Sequence, residues 1–140
     1  MRYWDSSAFV PALIREPATR QVQGWLREDP QVTTWWGTEL ECVSAISRRE
    51  RERLLTPAEL EQAFRRLADF RSGWQEIQPQ DAVRETARRL VRAHPLRAAD
   101  ALQLAAALLA ANQQPATLEF VCLDDRLAEA ARREGFPVVA

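Results

Sequence analysis

Hydrophobic and polar positions along the chain follow two rhythms, one suited to strands and one to helices. Met1–Trp4, Gln31–Thr34, Trp74–Ile77, Leu118–Leu123 and Pro137–Val139 are short runs that read as strands. The longer stretches between them place apolar residues three and four apart, as helices do. A helix over Ala8–Arg15 is expected after Asp5-Ser6-Ser7, and a second over Thr19–Glu28 after Pro17. Thr38 begins a long helix reaching about Arg53. Thr56-Pro57-Ala58-Glu59 is a strong start signal, with Thr at the cap, Pro at the first helical position and Glu three residues on. The helix it opens sets Leu60, Phe64, Leu67 and Phe70 on one face and ends before Gly73. Behind Pro79, Val83, Ala87, Leu90 and Val91 form the inward face of a helix that Pro95 ends. Arg97–Ala111 is an apolar helix expected at the centre of the fold. Asp124 starts the last helix, which runs to Glu134 and is closed by Gly135. Strands alternating with helices predict an α/β fold: a central parallel sheet flanked by helices, with right-handed crossovers. In such folds the functional site lies beyond the carboxyl ends of the strands.

Length and composition narrow this picture. A chain of 140 residues, 46% hydrophobic and 28% charged, suits one domain, 1–140, with a real core. The net charge of -1 excludes a wholly basic surface but not a local basic patch. All 19 basic residues are arginines, so no mechanism can use a catalytic lysine. Each cationic side chain can instead grip a carboxylate or phosphate through two hydrogen bonds. His94 is the only histidine, which excludes a two-histidine ribonuclease, an HExxH protease and a multi-histidine metal centre. Cys42 and Cys122 stand apart, with no CxxC pair for zinc. The longest mostly apolar run, Ala98–Ala111, is broken by Asp100 and Gln103 and is too short to span a bilayer. Met1–Asp5 lacks the start of a signal peptide, so a cytoplasmic location and no membrane partner are expected.

Carboxylates remain as the candidate chemistry. Asp5 follows the first strand, Glu39 and Glu41 open the helix after the second, and Asp124 and Asp125 follow Leu118–Leu123. Asp100 lies near the start of the apolar helix and could face them. Several carboxylates gathered at one sheet edge repel one another unless cations neutralise them. Their hard oxygens suit Mg²⁺ or Mn²⁺, ions able to activate water and to stabilise charge on a phosphodiester. Each acid also has a purely structural reading. Asp5 and Asp124 fit helix caps, Glu41 fits a capping box begun by Thr38, and Asp100 suits a first helical turn. Asp100 resists that reading best. Its neighbours Ala98, Ala99, Ala101, Leu102 and Leu104 predict burial, with Arg97 as a candidate partner.

Four segments together resemble the PIN-domain family, and within it the VapC-like toxins of toxin–antitoxin pairs. These are Met1-Arg2-Tyr3-Trp4-Asp5-Ser6-Ser7-Ala8-Phe9-Val10, Thr38-Glu39-Leu40-Glu41-Cys42-Val43-Ser44-Ala45-Ile46, His94-Pro95-Leu96-Arg97-Ala98-Ala99-Asp100-Ala101-Leu102-Gln103-Leu104-Ala105-Ala106-Ala107 and Phe120-Val121-Cys122-Leu123-Asp124-Asp125-Arg126-Leu127. They occur in family order across the whole chain. The resemblance implies a PIN-like three-layer α/β/α sandwich and a Mg²⁺- or Mn²⁺-dependent endoribonuclease. The implied substrates are structured RNAs such as tRNA or rRNA, and the implied partners are an inhibiting antitoxin protein and a second copy of the chain. It also implies metal-binding, catalytic acids at Asp5, Glu41, Asp100 and Asp124, with Ser6 holding the Asp5 region in place. Glu41 is preferred to Glu39 because Glu41–Pro57 then aligns without a gap. Cys122 departs from the Thr or Ser common at its position, which bears on a hydrogen bond behind the site. Of the pair Asp124-Asp125, Asp124 is the match and Asp125 a candidate helper. The alternative is a catalytically inactive PIN-like module that binds RNA or protein.

Several other residues carry two readings. Arg48, Arg49, Arg51 and Arg53 alternate with Glu50 and Glu52; a solvated face with internal ion pairs is favoured over an RNA-phosphate rim. Arg97 and Arg126 flank the acids and could orient carboxylates or bind the scissile phosphate. Trp35 and Trp36 are expected in the core, though an exposed Trp there could stack on a base. Trp4 and Trp74 are expected in the core. Trp25 and Leu26, with Phe9, Leu13 and Ile14, are expected to be buried within the chain rather than to line an antitoxin groove. His94 is expected as a helix C-terminal cap or surface residue.

Overall fold

The computed structural model describes residues 1–140. Strand β1 (Arg2–Trp4) is paired at both edges and covered by helices on both faces, so both of its faces are apolar. Tyr3 turns to one face and Trp4 to the other, and both are fully buried. Around β1 the sheet is entirely parallel, in the order β3-β2-β1-β4-β5. The other strands are β2 (Val32–Trp35), β3 (Gln75–Ile77), β4 (Glu119–Val121) and β5 (Val138–Val139). The expected three-layer sandwich is present. Helices α1 (Ser6–Leu13), α2 (Thr19–Glu28), α3 (Thr38–Arg51) and α4 (Pro57–Gly73) pack on the Trp4 face. Helices α5 (Asp81–Ala93), α6 (Ala98–Ala110) and α7 (Asp125–Arg133) cover the Tyr3 face. No helix is long and apolar enough to cross a membrane.

Aromatic side chains weld each layer to the sheet. Tyr3 stacks on Phe120 across β1 and β4, with ring centroids 5.3 Å apart. On the other face Phe9 of α1 meets Trp4 at 5.3 Å, Trp74 at 5.2 Å and Phe70 at 5.4 Å. Trp4 and Trp74 are therefore core residues, as their strand positions predict, and Trp25 and Leu26 pack half-buried against the same cluster.

Local signals explain most boundaries, and tertiary context explains the exceptions. Thr56 and Glu59 form the predicted reciprocal cap of α4. Gly135 closes the last helix at φ +104°, a backbone conformation that side-chain-bearing residues rarely adopt. The predicted strand Leu118–Leu123 shortens to β4 because Pro115–Thr117 winds into a 3₁₀ turn and Cys122 leaves the strand toward Asp124. Helix α1 begins two residues earlier than Ala8, since Asp5 caps it by accepting the Ser7 N–H. The capping box read at Thr38 is not formed. Gly37 is the N-cap of α3 and makes no side-chain cap, while the Thr38 hydroxyl turns inward.

Candidate active site

The strand order reverses between β1 and β4, and parallel sheets open a crevice at such a reversal. Asp5 follows β1 there and Asp124 follows β4, their segments tied by the Asp5 N–H to the Val121 carbonyl at 3.0 Å. Helices α3 and α6 bring Glu41 and Asp100 to the same place from opposite faces of the sheet. Ser6, Ser7, Glu41, Asp100 and Asp124 line one open cleft of about 820 Å³. Asp5 is set back from the surface its neighbours form and is only 3% exposed.

Each acid is held differently. One oxygen of Asp5 accepts the Ser7 N–H at 3.1 Å and the Ser7 hydroxyl, and lies 3.6 Å from the Cys122 thiol. The Ser6 hydroxyl stands between its other oxygen, at 3.5 Å, and Glu41 Oε1, at 3.2 Å. Glu41 Oε2 accepts a 2.8 Å hydrogen bond from Gln103 Nε2. Asp124 caps α7 by accepting the Leu127 N–H at 2.9 Å. Asp100 is half-buried rather than buried, because the first turn of α6 opens onto the cleft. Arg97 forms no ion pair with it, contrary to the expected partnership. At longer range the Arg97 charge still opposes the rise of the Asp100 carboxyl.

The electrostatics are those of acids crowded together. Burial raises the Asp5 carboxyl above the ordinary range against the pull of the Ser7 hydrogen bonds, and Asp100 adds to the rise. Burial and then the Asp5 charge push Glu41 up to about 7, although Gln103 and Ser6 donate to it. Burial and the Asp124 charge raise Asp100. This donor set is all carboxylate oxygen, and each acid would be stabilised as an anion by a hard cation such as Mg²⁺ or Mn²⁺. As they stand, no three acidic, cysteine or histidine side chains converge tightly enough to enclose an ion. Asp5, Glu41, Asp100 and Asp124 fit a divalent ion in chemistry and charge, with Asp5, Glu41 and Asp124 drawn onto hydrogen-bond donors of the protein.

Other expectations sort clearly. Glu39 faces away and pairs with Arg71 at 3.0 Å. Asp125 lines a neighbouring pocket beside His94 rather than the cleft. Arg48, Arg97 and Arg126 line the cleft and form no ion pair, whereas Arg49, also at its wall, pairs with Glu16. The internal ion pairs expected with Glu50 and Glu52 are absent. Trp35 is buried but Trp36 is 53% exposed. His94 caps α5, and its ring is not at the surface: it is buried against Glu134 at 2.7 Å. Cys122 takes the Asp124 N–H at 3.4 Å, so its thiol makes a weak version of the hydrogen bond a hydroxyl would make. Sequence reasoning gave no role to Ser7, which fastens Asp5 to the Leu123 N–H, or to Gln103. Gln103 was legible as a polar break in an apolar helix, one turn after Asp100 and on the same face.

Known proteins share this fold. The PIN domain family pattern matches residues 2–133. Ribonuclease VapC45 and Ribonuclease VapC49, from Mycobacterium tuberculosis strains CDC 1551 / Oshkosh and ATCC 25618 / H37Rv, are each 34% identical to this chain over 107 residues. Those residues are 76% of this chain and 74% of each relative. A chain of a toxin-antitoxin complex from Klebsiella pneumoniae superposes with a TM-score of 0.68, covering 100% of this chain and 97% of its own. At 19% identity that likeness is one of fold.

Proposed function

Because the chain belongs to the PIN domain family, with VapC-like ribonucleases among its relatives, we propose that it is a divalent-metal-dependent endoribonuclease acting as a toxin. The observation that carries the reading is the gathering of Asp5, Glu41, Asp100 and Asp124 from four separate elements at the switch point of the sheet. Asp5, Glu41 and Asp100 would hold Mg²⁺ or Mn²⁺, with Asp124 completing the set. An ion bound there supplies water activation and neutralises charge developing on a phosphodiester. The protein's own residues do the rest. Ser7 and Ser6 fix the orientation of Asp5 and Glu41. Arg48, Arg97 and Arg126, free of ion pairs, are available to phosphates of an RNA strand entering the cleft. The open shape suits a polynucleotide, and structured RNA such as tRNA or rRNA is the proposed substrate. A cognate antitoxin protein is the proposed inhibitor, and the proposed setting is a homodimer in the cytoplasm.

The test is cleavage of total tRNA and rRNA by purified protein with Mg²⁺ or Mn²⁺, beside Asp5→Asn and Asp100→Asn. Discrete, metal-dependent cuts lost in both folded variants are expected. Cutting that persists in both variants, or in chelator, overturns the reading.

A further inference from the structure

A line of hydrogen bonds runs beneath the site from the sheet to Glu41, and proton counting gives it one direction. It begins at the backbone carbonyl of Trp4, an acceptor with no proton to give. Thr34 Oγ1 lies 2.6 Å from that oxygen and must donate to it. Thr34 has then spent its only hydroxyl proton. Thr38 Oγ1, 2.8 Å away, must therefore donate to Thr34. Having spent its own proton, Thr38 can only accept from its next neighbour, the amide of Gln103 at 2.9 Å. That neighbour must be the NH₂ end of the amide, which leaves the second N–H for Glu41 Oε2 at 2.8 Å. Tyr3 completes the arrangement by donating its hydroxyl to Gln103 Oε1 at 2.7 Å. Gln103 is fully buried, as are Tyr3, Thr34 and Thr38. Reversing the amide would set its oxygen against Thr38, which has no proton left for it, and against the Glu41 carboxylate. Amide orientation is normally a matter of assignment; here the Trp4 carbonyl dictates it.

We propose that Thr34, Thr38, Gln103 and Tyr3 are positioning residues: a one-way hydrogen-bond chain by which the backbone of β1 aims an N–H at Glu41 and holds it as a cation-binding carboxylate. Asp5 is the next residue after Trp4, so the strand end that positions one acid also orders the chain that positions another. The role in cation binding rests on the proposed metal-dependent reading, but the ordering of the chain does not.

Side-chain amide NMR of the metal-free protein tests the ordering, with Gln103 assigned by its loss in Gln103→Leu. Thr34→Val is expected to move the Gln103 NH₂ resonances although Thr34 makes no hydrogen bond to Gln103, and Thr34→Ser is expected to restore them. Thr33→Val is the control. It lies on the same strand, and its buried hydroxyl has no partner, so it should leave them in place. Unmoved resonances in folded Thr34→Val, or an equal shift in Thr33→Val, overturn the proposal. Calorimetric titration with Mn²⁺ then reads the consequence. Tyr3→Phe and Thr34→Val are expected to weaken binding about 10-fold, in the range seen when residues behind metal ligands are replaced, with Thr34→Ser and Thr33→Val near the parent. Weakening that Thr34→Ser does not rescue overturns the positioning role. Absence of Mn²⁺ binding by the parent, with the NMR pattern as expected, overturns the metal reading and leaves the ordering intact.

Discussion

Replacing Glu41 by Gln should make the metal-free protein more stable at pH 8 while changing little at pH 5. In the folded chain burial and the Asp5 charge raise Glu41 from its ordinary 4.5 to about 7. The folded protein thus retains a proton that the unfolded chain releases. Its contribution is fully present below the unfolded value and is lost as pH climbs to about 7. The gap between those values, at about 1.4 kcal/mol per pH unit, sets a ceiling of about 3 kcal/mol. Solvent at this partly exposed carboxylate reduces that to an expected ~1–2 kcal/mol, or about 3–7 °C in Tm for a chain this size. Gln keeps the shape, accepts from Gln103 through its oxygen and can donate to Ser6. Urea unfolding in chelator at pH 5, 6, 7 and 8 measures the effect. The parent should lose stability across the series, and the variant should lose about 1–2 kcal/mol less. Asp5 and Asp100, raised by the same crowding, leave a residual slope of the same sign. Identical slopes for parent and variant, or a variant less stable at pH 8, would refute the claim that burial and the neighbouring Asp5 charge hold Glu41 against ionisation.

Three further outcomes follow from particular contacts. Phe9→Ala removes a ring that touches Trp4, Phe70 and Trp74 and should cost about 3–5 kcal/mol by chemical denaturation. Thr56→Ala removes one half of a capping box on an exposed turn far in sequence from the acids. It should cost about 1 kcal/mol and leave RNA cleavage rates unchanged. Arg97→Ala and Arg126→Ala should each weaken RNA binding and lower its salt dependence by about one ion in the log–log slope, measured by fluorescence anisotropy over a salt series.

The fold was legible because its signals are local and repeated. Strand runs around Tyr3-Trp4 and Phe120-Val121 sit between helix starts such as Thr56-Pro57-Ala58-Glu59, and each signal acts within a few residues. The four acids were legible from their positions after strands and at helix starts, and from the resemblance of the segments around them. What the sequence concealed depends on direction. Thr38 looked like a cap because it precedes Glu41 by three residues, yet its hydroxyl has better partners in Thr34 and Gln103. Asp100 looked buried because its neighbours are alanine and leucine, but the end of a helix need not share the burial of its middle. Gln103 looked like an interruption. It is the one polar group that reaches from α6 under the sheet edge to α3, a link that spacing along either helix cannot reveal.

The placement of β4 between β1 and β5 has a consequence for a chain emerging from the ribosome. Through residue 118 the chain already contains Asp5, Glu41 and Asp100, but one flank of β1 still lacks its neighbour. The Asp5 N–H waits for the Val121 carbonyl, and Ser7 waits for the Leu123 N–H and the Cys122 thiol. The centre therefore closes only when β4 and the residues after it add to the open flank of β1. A chain cut short before β4 carries Asp5, Glu41 and Asp100 but lacks Asp124 and the contacts that close the cleft, so the four acids cannot be brought together until β4 is in place.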